Sequence, residues 1–150
     1  MNTNLTFTYG ASLLFRLIDA ETSRLAAFLR FEGGASAYDA LKVHTNDHPT
    51  IKGFVSEAID SILSKFEDES KGGYDEEGDK YELKFYLPDF DNDRHTLAWR
   101  EMLDFIVHSA TARWLLNRSF PEQAKIEASN ADSSMNRAVS ALRSRKSFFI

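Results

Sequence analysis

No cysteine occurs among the 150 residues. Disulfides, thiolate metal sites and a cysteine nucleophile are thereby excluded, and histidine and carboxylate remain as the only metal ligands. A phosphate-cradling loop is also missing, because Gly33-Gly34 and Gly72-Gly73 lack both the glycine spacing and the Lys-Ser/Thr that follows it. Long apolar runs are absent too. Arg16 cuts the Leu13-Leu14-Phe15 cluster, and Met1-Asn2-Thr3-Asn4 carries no basic segment of a secretory signal. These absences lead to the expectation of a soluble, cytoplasmic protein without nucleotide or other cofactor. A chain of this length buries roughly 70% of its unfolded surface, enough for one core and a single domain over 1–150.

Charge is distributed unevenly about a net of −5. Between Glu67 and Glu82 stand Glu67, Asp68, Glu69, Asp75, Glu76, Glu77, Asp79 and Glu82 against Lys71 and Lys80, while no acid follows Asp132. One reading is a solvated loop and a helix end that favours bases. The other is two oppositely charged patches that meet in contacts between subunits or with a partner.

Periodicity sets out the elements. Leu5, Phe7 and Tyr9 alternate with polar residues as in a short strand. Leu14, Leu17, Ile18, Leu25, Phe28 and Leu29 then recur at helical spacing, predicting an amphipathic helix from 11 to about 30 that stops near Gly33-Gly34. Tyr38 and Leu41 suit a short helical turn. Ile51, Phe54, Val55, Ala58, Ile59, Ile62, Leu63 and Phe66 mark a second helix, capped by Asn46 or Asp47 and with Pro49 in its first turn. Gly72, Gly73 and Gly78 among acids give a mobile loop near 67–80 or the tip of a hairpin. Tyr81, Leu83, Phe85 and Leu87 follow as a strand with one buried face, paired with the acidic arm or with the N-terminal strand.

A third helix from about Asp93 to Asn117 carries Trp99, Leu103, Ile106, Val107, Ala110 and Trp114. Pro121 opens a fourth, in which Ala124, Ala128, Ala131, Met135, Ala138 and Leu142 form a seam of mostly small side chains. The expected class is mainly α (α+β), a four-helix domain with two or three short antiparallel strands.

The constellations that could carry chemistry are few. Asp89, Asp91 and Asp93 resemble the start of a calcium loop, but Arg94 and Arg100 stand where such a loop needs glycine and glutamate. Helix capping by Asp91 or Asp93 is the better reading. His44 and His48 are four apart in a turn with no third ligand indicated. His108 sits within the third helix and is expected to be neutral, with one ring nitrogen bonded nearby. The carboxylates fall in the polar loop and on helix surfaces, away from apolar settings that would raise a pKa. No catalytic, cofactor-binding or metal-binding residue is nominated, and the expectation is a non-enzyme.

The tail is harder to explain as plain surface. Arg143, Arg145 and Lys146 lead to Phe148, Phe149 and Ile150, apolar residues that need cover from their own domain or from another chain. These six are the candidate partner contacts, in a tail (143–150) that is either docked or extended.

Ala112-Arg113-Trp114, Phe120-Pro121-Glu122-Gln123-Ala124 and the Leu142-Arg143-Ser144-Arg145-Lys146 end, in the order of elements given above, resemble small structural proteins from tailed-phage head and tail gene clusters, of the head–tail connector (adaptor or neck) type. The resemblance implies a virion assembly component. Its copies would stand in a ring and contact portal or tail proteins, first in the host cytoplasm and then in the virion, with no membrane and no direct nucleic-acid contact. The Phe-Phe-Ile end departs from that pattern. An alternative is a small cytoplasmic binding or immunity-type regulatory module whose acidic segment masks a basic partner.

Overall fold

The computed structural model describes residues 2–27 and 38–146. In chain order these form strand β1 (Asn2–Gly10), helix α1 (Ala11–Ala26), the short turn α2 (Tyr38–Leu41), helix α3 (His48–Ser64), strands β2 (Ser70–Asp75) and β3 (Lys80–Pro88), and helices α4 (His95–Asn117) and α5 (Pro121–Leu142). Four helices and a small antiparallel sheet give the mainly α, α+β class expected from the sequence. The proposed continuation of the first helix through Phe28 and Leu29 to Gly33-Gly34 lies outside the described residues.

Alternation in β1 and β3 decides the sheet. Leu5, Phe7 and Tyr9 pair with Phe85, Leu83 and Tyr81, so these inward residues of the two strands oppose one another. β3 is central, in the order β1-β3-β2, and therefore takes both of its proposed partners. The acidic arm from Ser70 to Asp75 is strand β2, and the glycine-bearing turn after it closes a hairpin. Gly72 is required there, since a Cβ would lie 2.6 Å from the Glu82 carbonyl oxygen and 3.1 Å from Leu63 Cδ1. The turn also serves α1, whose first residue, Ala11, donates its N–H to the Asp79 carbonyl at 2.9 Å.

The inner face of the sheet meets α3 and α4. Ile51, Val55, Ala58, Ile59 and Ile62 of α3 are buried together with Phe66, whose ring stands edge-on to Phe85 at 5.4 Å. β1 is fixed to α4 by a reciprocal pair of bonds. Tyr9 Oη donates to the Trp99 carbonyl at 2.8 Å, Trp99 Nε1 donates to the Thr8 carbonyl at 3.1 Å, and the two rings stack. Further along α4, Trp114 Nε1 donates to the Leu41 carbonyl at 2.8 Å and so ties down α2.

α4 buries residues on nearly every face, from Ala98 to Leu115, and packs most extensively on α5. It ends in a Schellman cap: the Phe120 N–H reaches the Leu115 carbonyl at 2.8 Å, and the Ser119 N–H the Leu116 carbonyl at 3.1 Å. Ser119 adopts φ 66°, and Phe120 packs beside Leu115. The entry to α3 differs from the expected side-chain cap. Asp47 Oδ2 accepts the His44 N–H at 2.8 Å, within a 3-10 turn that precedes the helix, while Pro49 holds its expected place.

Gly53 lies exposed on α3 with open space where a Cβ would stand. Gly53→Ala is expected to stabilise the fold by about 1 kcal/mol, read by chemical denaturation, because alanine loses less backbone entropy in a helix. Ile59→Asp places an unpaired charge in the core and is expected to cost about 4 kcal/mol or more, read in the same way.

Candidate functional site

The inward face of α5 differs from the expected seam. Ala124, Ala131, Met135, Ala138 and Leu142 are buried as expected, but Ala128 is exposed and Glu127 takes the inward seat beside it. Ser134 and Ala141 continue this shifted face. Counting apolar residues favoured Ala128, yet Glu127 stands three after Ala124 and four before Ala131, on the same side of the helix. That spacing was the signal available.

Burial of Glu127 overturns the expectation that all carboxylates lie in solvated places. Its side chain is 1% exposed and meets His108 of α4, with Oε2 2.6 Å from Nδ1. Glu21 of α1 completes the group, and a donor atom from each of Glu21, His108 and Glu127 lies within 4.8 Å of the others. On the outer side Arg24 Nη2 bonds Glu21 Oε1 at 2.5 Å and approaches Glu127 Oε1 at 3.9 Å. No hydrogen-bond partner reaches Glu127 Oε1 among the described residues. One turn beyond His108, the buried Thr111 hydroxyl is likewise without a hydrogen-bond partner among the described residues.

Electrostatics follow from this packing. The hydrogen bond to Glu127, aided by the charges of Glu127, Glu21 and Asp104, raises the His108 pKa above its ordinary value despite desolvation. His108 is thus biased towards the imidazolium, a correction to the neutral ring expected from the sequence. Desolvation raises Glu127, against the lowering effect of His108. Burial also pulls Glu21 upward, but Arg24 and the Glu127 carboxyl outweigh it and hold Glu21 below the usual glutamate range. Asp104, one turn before His108, is raised by desolvation and then by Glu101. The cluster can hold and move a proton between an imidazole and two carboxylates, or hold a cation.

The other histidines stand apart from this group. His48 stacks on Phe15 at 4.4 Å, and His44 leads the 3-10 turn before α3. Asp91 caps the turn before α4 by accepting the Asp93 N–H at 3.1 Å, as the capping reading held.

The root of the tail is attached to its own domain. The Asp91 N–H donates to the Ser144 carbonyl at 3.1 Å and the Lys146 N–H to the Asp89 carbonyl at 2.8 Å, around a bridge between Phe90 and Arg145. Arg143 lies over the Phe66 ring at 4.9 Å and donates to the Lys65 carbonyl. Arg145 donates to the Leu142 and Ser144 carbonyls, and its side chain, like that of Lys146, faces solvent. Phe148, Phe149 and Ile150 lie outside the described residues.

A groove of about 700 Å³ opens between α3, α4 and α5. Phe105, Leu116, Ala124, Ala128 and Met135 give it apolar walls, and Lys65, Lys125 and Arg113, the last 3.5 Å from Glu57, bring cations to it against the carboxylate of Asp132. Leu116, which lines the groove, is 55% exposed. Among the described residues no helix is long and apolar enough to cross a membrane. No protein-family model, curated protein or solved structure matches the chain.

The raised His108 pKa gives a signed expectation in metal-free buffer. Stabilisation from the imidazolium is complete below its unfolded value of 6.5 and is lost as pH rises through the higher folded value. Ionising Glu127 in the folded protein acts in the same direction. The contribution of Glu21 is present above 4.5 and is lost only on acidification below that value. The melting temperature is therefore expected to fall as pH rises above 6.5, and to fall less in His108→Gln. At pH 6 that variant is expected to be about 3 kcal/mol less stable than the parent, because it strands a buried carboxylate.

Proposed function

We propose that this chain acts through contacts between folded surfaces, as a non-enzymatic assembly component of the phage head–tail connector kind, with other copies of itself and portal or tail proteins as partners. The observation that carries the reading is the apolar groove with its basic rim. Exposed leucine beside alanine-floored space is sheltered when a neighbour covers it, and Lys65, Arg113 and Lys125 favour an acidic occupant. The chain presents such an occupant itself. The β2-β3 hairpin carries Asp75, Glu76 and Glu77 next to Tyr74, an aromatic 38% exposed.

The hairpin turn sits at the start of α3, where Lys52 Nζ is 3.9 Å from Asp79. The groove takes Ser61 and Lys65 from the other end of that helix. Those positions are about 20 Å apart along the axis, so a hairpin reaches the groove of a neighbour and not its own. A head-to-tail contact of this type generates rings or open filaments, according to whether its rotation closes.

The tail supports the reading in a smaller way, since Arg145 and Lys146 present their charges outward from a fixed root. The runner-up is a stand-alone binding module of the immunity type, in which the same acidic hairpin meets a basic partner protein.

Sedimentation velocity of the full chain over a wide concentration range tests the assembly reading. Concentration-dependent association is expected. Arg113→Glu with Lys125→Glu should weaken it about tenfold or more, and Glu76→Lys with Glu77→Lys in the same chain should restore it. A monomer at all concentrations, or association indifferent to both sets of charges, contradicts the groove-and-hairpin contact.

A further inference from the structure

We propose that Glu21, His108 and Glu127 form a site for one divalent transition-metal ion, with Zn²⁺ the best match. This inference is independent of the assembly reading. One imidazole nitrogen and two carboxylate oxygens make a donor set suited to zinc and its neighbours, and the three donors already lie within 4.8 Å of one another. They come from three different helices, α1, α4 and α5, packed into the body of the domain. A site supported in this way is held more rigidly than one built on loops.

The second observation is the unanswered oxygen. Glu127 is 1% exposed, its Oε1 receives no N–H or hydroxyl hydrogen bond among the described residues, and on that side the Glu127 carboxyl meets the Glu21 carboxyl, with Arg24 Nη2 3.9 Å away. A buried polar atom left in this state costs free energy. A cation bound between Glu21 and Glu127 would satisfy the oxygen and neutralise both carboxylates together. Glu21 and His108 retain 18% and 25% exposure, which gives the ion a way in and leaves a fourth coordination position for water.

Two changes accompany binding. Ligands of a tetrahedral ion about 2.0–2.1 Å from the metal stand roughly 3.3 Å from one another, so the 2.6 Å contact between His108 and Glu127 must open and the bridging proton leave. Arg24 must also release Glu21. Its side chain is 56% exposed and can turn into solvent. Arg24 is therefore a competitor for the site and not a ligand.

Calorimetric titration of the chelator-stripped full chain with zinc chloride tests the assignment. One ion per chain is expected. Glu21→Gln and Glu127→Gln should each weaken binding by roughly tenfold or more. Arg24→Gln should tighten it, and the double variant His44→Gln/His48→Gln should leave it unchanged. Circular dichroism checks that each variant is folded, and the partly exposed Glu21→Gln keeps the test valid if Glu127→Gln is not. Cobalt(II) in place of zinc should give visible d–d absorption that Glu21→Gln abolishes. Absence of zinc binding overturns the proposal, as does binding that Glu21→Gln leaves undiminished or that disappears with the His44/His48 pair.

Discussion

The Glu127 carboxylate lies at the junction of three helices, and its burial is the constraint on which the helical half of the molecule depends. A carboxylate 1% exposed is tolerable only with a proton, a cation or a hydrogen-bonded partner at hand, and His108 supplies the nearest one. That requirement fixes how α5 lies on α4. Alanines dominate the inward face of α5, so the helices approach closely while each side chain buries little area. Area alone then distinguishes poorly between neighbouring registers. Two polar pairs make the distinction: His108 with Glu127 near the connecting turn, and Glu101 with Arg137, 2.9 Å apart, towards the other end. A slip of one turn would break both pairs and leave the more deeply buried carboxylate of each uncompensated.

The sheet side of the molecule depends on different physics. β1 and β3 place seven apolar or aromatic residues inward in strict alternation, and the Tyr9-Trp99 pair locks that layer to α4 through reciprocal hydrogen bonds to backbone carbonyls. α4 is thus shared between an apolar interface with the sheet and an interface with α5 that carries buried charge. The functional proposals follow this division. The outer surfaces, groove and hairpin, are suited to contact with other subunits, while the interior junction is suited to a small cation.

Much of this fold was legible in the sequence because single elements announce themselves by period. The α3 stripe from Ile51 to Phe66 and the β3 alternation from Tyr81 to Leu87 needed only local spacing. The short turn at Tyr38–Leu41 and the start of α5 at Pro121 were legible for similar reasons. The cluster was not, since Glu21, His108 and Glu127 are 87 and 19 residues apart along the chain and nothing local pairs them. Rules that place charge outside assigned Ala128 to the interior and Glu127 to solvent, when packing against α4 required the reverse. Arg143 was read as part of a tail either docked or extended, and Arg137 was given no partner. The ion pair with Glu101 and the stack on Phe66 draw both back onto the domain, through partners that only tertiary structure supplies.

The most direct measurement of the central claim is an NMR titration of the four imidazoles in metal-free solution. His108 is expected to titrate above 6.5 while Glu127 is present, and to fall back by a clear margin in Glu127→Gln with the fold intact. A His108 that titrates at or below 6.5, or one indifferent to Glu127→Gln, would contradict the account, because the buried carboxylate would then have no hold on the ring.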